Sequence, residues 1–209
     1  MKENFLKLSE NLVFLLVAAA AVISPLFFLP TTSEFFEFNK FTALLVITVL
    51  GLLIWAARMV LEKRAVFTRT PLDVPLIVFA AVVFVASAAS IDNFISIIGH
   101  PQNLWPSFFP LLTLVLFYFM AVSNLKSKKH IKAILWILIA STTAASVVAL
   151  SSYFAAYLPF EFAKIRSFNT VGVINRLALL QTLVIPISAS LSIFTRSKTE
   201  RPFVIGATL

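Results

Sequence analysis

The residues best equipped for chemistry lie in one stretch, Arg166-Ser167-Phe168-Asn169-Thr170-Val171-Gly172-Val173-Ile174-Asn175-Arg176-Leu177-Ala178. Two guanidinium groups, two amides and two hydroxyls are gathered there, at the mouth of an apolar run that continues to Phe194. A guanidinium presents a planar fork of donors that fits phosphate oxygens in pairs and keeps its charge when partly desolvated. Gly172 would let backbone approach a ligand closely, and the free N–H groups of a helix start favour anions. Arg166, Thr170, Gly172, Asn175 and Arg176 are therefore the candidate ligand-binding residues, and the ligand they suit is an anion. The plainer alternative is also physical: Arg166 and Lys164 fit loop cations facing water, and Arg176 fits a side chain snorkelling to headgroups.

The elements that would position this stretch are apolar. The chain has 209 residues, of which 60% are hydrophobic and 12% charged, and its mean hydropathy is +0.97. That is far above the apolar share of an ordinary soluble domain. The fold class expected is all-α, a polytopic transmembrane helix bundle. Six runs approach the roughly 20 residues a spanning helix needs: 12–29, 41–61, 74–91, 104–122, 133–158 and 171–194. Each is apolar around its whole circumference. A seventh run, 202–209, is too short to cross and reads as the start of a further span, with the whole chain as the N-terminal part of a longer protein. No cleavable leader is expected, because Pro30-Thr31-Thr32-Ser33-Glu34 follows the first run where small residues would mark a cleavage site.

A net charge of +8 does not indicate nucleic acid here, because the cations fall in short clusters between apolar runs. Lys2, Lys7, Arg58, Lys63, Arg64, Arg69, Lys126, Lys128, Lys129, Lys132, Arg196, Lys198 and Arg201 lie on one side, 13 of the 17. Lys40, Lys164, Arg166 and Arg176 lie on the other. The positive-inside rule places the larger set and the N-terminus in the cytoplasm, with Asp92, His100, Arg166 and Asn175 outside. The chain has no cysteine and two histidines, His100 and His130, which argues against thiolate or histidine metal sites.

Small residues at Ala18–Ala21, Ala86–Ser90 and Ser141–Ser146 are the kind that let helices approach closely in lipid. They assign runs one, three and five to the bundle interior. In the sixth run, Asn175, Thr182 and Ala189 share a face. The segment from Asp92 to Pro106 contains Phe94, Ile95, Ile97, Ile98, Leu104 and Trp105, and is expected to lie along or dip into the membrane interface. The basic cluster from Lys126 to Lys132 reads as a topology signal touching anionic lipid.

At Arg166 the chain resembles the O-antigen ligase family. That family's pattern is Arg, two variable residues, Gly-Thr, one variable, Gly-Asn-Pro-Asn, one variable, Leu-Ala. Arg166, Thr170, Gly172, Asn175, Leu177 and Ala178 stand in register with it, whereas Asn169, Val173 and Ile174 replace the first Gly, the first Asn and the Pro. A second likeness covers Pro71-Leu72-Asp73-Val74-Pro75, Ser87, Ser90-Ile91-Asp92 and Ser96-Ile97-Ile98-Gly99.

The resemblance implies a bacterial plasma-membrane enzyme that transfers a glycan from undecaprenyl diphosphate to an acceptor at the outer face, with neither metal nor cofactor. It implies that Arg166 grips the lipid diphosphate and that most catalytic groups lie beyond Leu209. Two other readings of the residues stand beside it, a secondary transporter or flippase and a non-catalytic membrane scaffold. Against the transporter, none of the six apolar runs contains Asp or Glu, and four glycines are few for broken, glycine-rich helix pairs.

Overall fold

The computed structural model describes residues 2–30, 34–65, 67–100, 104–156 and 158–194. The described residues form helices and no strand. In chain order these are α1 (Lys2–Leu26), α2 (Glu37–Glu62), α3 (Asp73–Ala88), α4 (Asn93–Ile98), α5 (Phe108–Asn124), α6 (Lys128–Tyr153), a single 3-10 turn (Glu161–Ala163) and α7 (Ile174–Phe194).

Six of these helices coincide with the six predicted apolar runs, but they do not all have the length expected of spans. Four are long and apolar enough to cross a bilayer: Leu6–Leu26 of α1, all of α2, all of α6, and Ile174–Ile193 of α7. The chain is accordingly a multi-pass membrane protein. The expected set of six complete spans needs correction at α3 and α5, which have 16 and 17 residues. At 1.5 Å per residue they extend about 24 to 26 Å, short of a hydrocarbon core of about 30 Å. The predicted start of a seventh span, 202–209, lies outside the described residues.

Local chemistry explains both shortfalls. The third run does not continue to Ile91, because the Asp92 side chain accepts from the Ile95 amide at 3.0 Å and begins a new helix, α4. The fourth run does not begin at Leu104, because α5 starts only after Pro106 and Ser107, where Ser107 Oγ donates to the Leu104 carbonyl. Other boundaries move outward. Helix α2 includes Glu37 and Glu62 at its two ends; Glu37 is buried, and the side chain of Glu62 is largely covered.

The chain divides into two compact units. One holds α1 as far as Ala20 and residues 37–130; the other holds residues 21–36 and those from Ile131 onward.

In the first unit α2 packs on α5, and α5 also touches α3 and α4. Gly51 makes the α2–α5 approach close: a Cβ there would lie 2.7 Å from Met120 Cε, and Met120 is fully buried. Phe41 packs edge-on to Trp105 and Phe109 at one end of this unit. Elsewhere in the unit Thr68 N donates to Ser123 Oγ at 3.4 Å. Thr70 N and Oγ1 both donate to the Asp73 carboxylate, and Tyr118 Oη lies 2.7 Å from Thr70 Oγ1. The Pro71-Leu72-Asp73 motif is thus a closed turn opening α3.

Helix α3 is not an interior helix. Only Asp73 and Ser87 are buried along it, and Ala86, Ala88 and Ala89 are exposed. The small-residue reading fails there because small side chains permit a close helix approach without requiring one.

In the second unit the small residues of α6 do face inward: Ser141, Thr142 and Ala145 are buried. Gln181 Nε2 of α7 donates to Ser146 Oγ at 2.7 Å, and Ser146 Oγ donates to the Thr142 carbonyl. An amide that would be costly in lipid is thereby satisfied by a facing helix. Leu177, Val184 and Ser188 form the buried stripe of α7. Asn175 and Thr182 lie off that stripe and are exposed.

Candidate functional site

The 166–178 stretch is set by the end of α6, the start of α7 and residues 25–36, all in the second unit. Helix α6 closes with Ala155 in the left-handed region at φ 61°. Ala155 N donates to the Ser152 carbonyl and Ala156 N to the Ser151 carbonyl. This is the Schellman arrangement, with alanine where glycine is commoner. It leaves the Tyr153 carbonyl for an outside donor, and Arg166 Nε supplies it at 3.2 Å. The guanidinium carbon also sits 4.6 Å from the centre of the Tyr153 ring. A cation at the C-terminal end of a helix is favoured by the aligned backbone dipoles, and the ring face adds to that. The Arg166 side chain is exposed, and among the described residues its two Nη groups have no hydrogen-bond acceptor.

Asn169 organises the turn that follows. It is buried, and its Oδ1 accepts from the amides of Val171 at 3.0 Å and Gly172 at 2.9 Å. Its Nδ2 donates to the carbonyls of Ser167 at 3.3 Å and Gly172 at 3.2 Å. One side chain thus meets four backbone groups of a loop that would otherwise be unpaired. Gly172 sits at φ +118°, and a Cβ there would come within 3.1 Å of the Phe36 ring. Phe168 is buried and meets Phe28 edge-on at 5.8 Å. The Thr170 hydroxyl donates to the Pro25 carbonyl at 2.8 Å, at the last turn of α1.

The five predicted site residues therefore separate into two groups. Thr170 is buried, with its hydroxyl proton committed to Pro25, and Gly172 is the close-approach point for the Phe36 ring. Arg166, Asn175 and Arg176 are exposed, as is Lys164. Three cations thus face outward on the twelve or so residues that lead into the first turn of α7. What this arrangement can do is attract and hold an anion by charge, with one guanidinium already oriented.

Three residues that shape the two units carry weight the sequence reading did not give them. Asn169 appeared there as one of two amides and as a replacement for glycine, although an asparagine side chain readily closes a turn on the backbone two residues on. Gln181 was not singled out, although a lone amide inside an apolar run asks for a partner. In the first unit His130, read as isolated, stacks on Phe14 at 4.5 Å and has Nδ1 3.8 Å from Glu10 Oε1.

Compared with family models, with curated proteins and with solved structures, the chain matches none.

Proposed function

We propose that the chain is the N-terminal membrane part of a bacterial plasma-membrane transferase of the O-antigen ligase type, which moves a glycan from undecaprenyl diphosphate to an acceptor at the outer face. In this reading the N-terminus is cytoplasmic. The acceptor's nucleophile attacks the sugar carbon bonded to the diphosphate, and the departing diphosphate takes up negative charge. A guanidinium already held in place lowers the cost of that charge without first reorganising.

The observation that carries the reading is the state of Arg166. Its Nε and one ring contact fix the side chain to Tyr153, while both Nη groups have no acceptor among the described residues. Support also comes from topology. In the second unit the end of the first apolar run meets the segment before the sixth, through Thr170 with Pro25 and Phe168 with Phe28. Alternating crossings would put those two segments on the same side.

The test replaces Arg166 with Ala and with Lys in the full-length protein and measures both glycan transfer in cells and binding of a polyprenyl diphosphate to the purified protein. Loss of both activities in Arg166→Ala, with partial retention in Arg166→Lys, is the expected result. Unchanged transfer and binding in both variants would remove Arg166 from the mechanism.

A further inference from the structure

Between α3 and α5, residues 89–99 form a small self-contained element whose outer side is oily. Ile91 is wholly exposed, Phe94 is 69% exposed, and Ile95 and Ile98 are each close to half exposed. On α4, Phe94, Ile95 and Ile98 fall at i, i+1 and i+4, so they make one ridge, with Ile91 just before it. Asn93 and Ser96 lie off that ridge, and Ser96 Oγ donates to Ser90 Oγ at 2.7 Å.

Much of this element's backbone is paired within it, on either side of residues 91–94. Ala89 N donates to the Val85 carbonyl, Ser90 N to Ser87, Ser96 N to Asp92 and Gly99 N to Ile95. The Asp92 side chain takes the Ile95 amide. Gly99, at φ +95°, turns the chain back so closely that a Cβ would lie 2.7 Å from Ser107 Oγ. Irregular backbone survives at membrane depth only when its polar groups find partners inside the protein. A water-facing loop has no such need and rarely presents four large apolar side chains together.

We infer that residues 89–99 form a lipid-inserted interfacial element, with the ridge of Ile91, Phe94, Ile95 and Ile98 buried among acyl chains just below the headgroups. Its partner is the bilayer itself. Two observations favour lipid over protein as the cover. The helix that leads into the ridge is itself apolar and uncovered, with Val74, Val78, Val82 and Val85 of α3 all more than half exposed. And α3, at about 24 Å, ends short of a full crossing, so the element that follows it begins near the acyl boundary. Asp92 and Asn93, both exposed, then stand at the polar edge.

Residues 1–209 contain no cysteine, so single cysteines introduced there are spin-labelled once any cysteine elsewhere in the full-length protein has been changed to serine. Phe94→Cys, Ile98→Cys and Asn93→Cys, with Val78→Cys as an apolar reference and Lys129→Cys as an aqueous one, are labelled in the full-length protein reconstituted into phospholipid vesicles. Collision rates with oxygen, which concentrates in lipid, and with a water-soluble nickel chelate report depth. Labels at 94 and 98 should resemble the label at 78, favouring oxygen, while the label at 93 shifts towards the nickel chelate. Nickel access at 94 and 98 equal to that at 129 would overturn the inference in favour of a water-facing loop. Exclusion of both reagents at 94 and 98 would overturn it in favour of a protein partner.

Discussion

Ser141 Oγ donates a 2.9 Å hydrogen bond to the carbonyl of Ala21, four residues before Pro25. Proline has no N–H, so within α1 that carbonyl loses its usual partner. The hydroxyl of α6 replaces it, while also lying 3.1 Å from its own Leu138 carbonyl. The carbonyl of Pro25 itself is taken by Thr170. The proline is thus tolerated because the Ser141 hydroxyl answers the carbonyl it leaves open, while Thr170 answers a carbonyl left open by the end of the helix.

Ser141→Ala should therefore lower stability by about 1 kcal/mol, the scale of an interhelical hydrogen bond in a membrane bundle. In a Pro25→Ala background the new amide can reach Ala21, and the same Ser141→Ala change should cost much less. A double-mutant cycle on thermal unfolding in lipid nanodiscs measures the difference. Additive effects of the two changes would show that the serine and the proline are not coupled.

This pairing marks where a reading of sequence stops. Apolar runs are local and additive, so the six helices and their approximate positions were legible from composition alone. Their ends depended on single side chains: Asp92 begins α4 by capping it, and no hydropathy average registers one carboxylate. The interior role of α3 was misjudged because small residues permit close contact without requiring it. Within the candidate site, the concentration of cations was legible, whereas the commitment of Thr170 to Pro25 was not, because 145 residues separate the two. Asn169 was legible in principle, since its four bonds are all within three residues.

The loop before α7 should be more sensitive to Asn169 than to its exposed cations. Asn169→Ala removes four hydrogen bonds from a buried position and should destabilise the loop by about 2 to 3 kcal/mol. Asn169→Asp keeps the two accepted bonds but sets a carboxylate against the carbonyls of Ser167 and Gly172, so it should not restore stability. Gly172→Ala should be costly as well, by more than about 1 kcal/mol, because φ +118° disfavours a side chain and the Phe36 ring occupies the space. Hydrogen exchange at the amides of Val171 and Gly172 reads all three variants. Wild-type protection in Asn169→Ala would show that the turn is held by other contacts.

At the α2–α5 contact, size should matter more than polarity. Gly51→Ala meets only the end of the flexible Met120 side chain, and a small shift of that side chain can accommodate it. Gly51→Val cannot be absorbed so easily, because Met120 is fully buried, and overpacking of this kind costs about 1 to 3 kcal/mol. Met120→Ala alone should also destabilise, by leaving a cavity. Combined with Gly51→Val it should recover part of both losses. Unfolding of the four proteins in the same detergent tests this, and a double variant no better than the sum of the single ones would show that the two side chains do not share the space.

The last comparison sets two arginines against each other across one carboxylate. Glu62 is bonded at 2.7 Å by both Arg58 Nε and Arg64 Nε, yet its side chain is 5% exposed while those of Arg58 and Arg64 are 13% and 75% exposed. Arg58 also reaches Asn124 Oδ1 through a long 3.5 Å contact, and Asn124 is itself buried. Arg64→Ala removes an ion pair with one end in solvent, and such pairs are worth at most about 1 kcal/mol. Arg58→Ala leaves a buried carboxylate with only the mobile, exposed cation and strips Asn124 of a donor, so the larger drop in melting temperature belongs to it. Raising the salt concentration should then shrink the effect of Arg64→Ala and leave that of Arg58→Ala nearly unchanged, because screening acts on the exposed partner. Equal melting temperatures for the two variants would show that Glu62 does not distinguish them and that burial does not control the strength of this cluster.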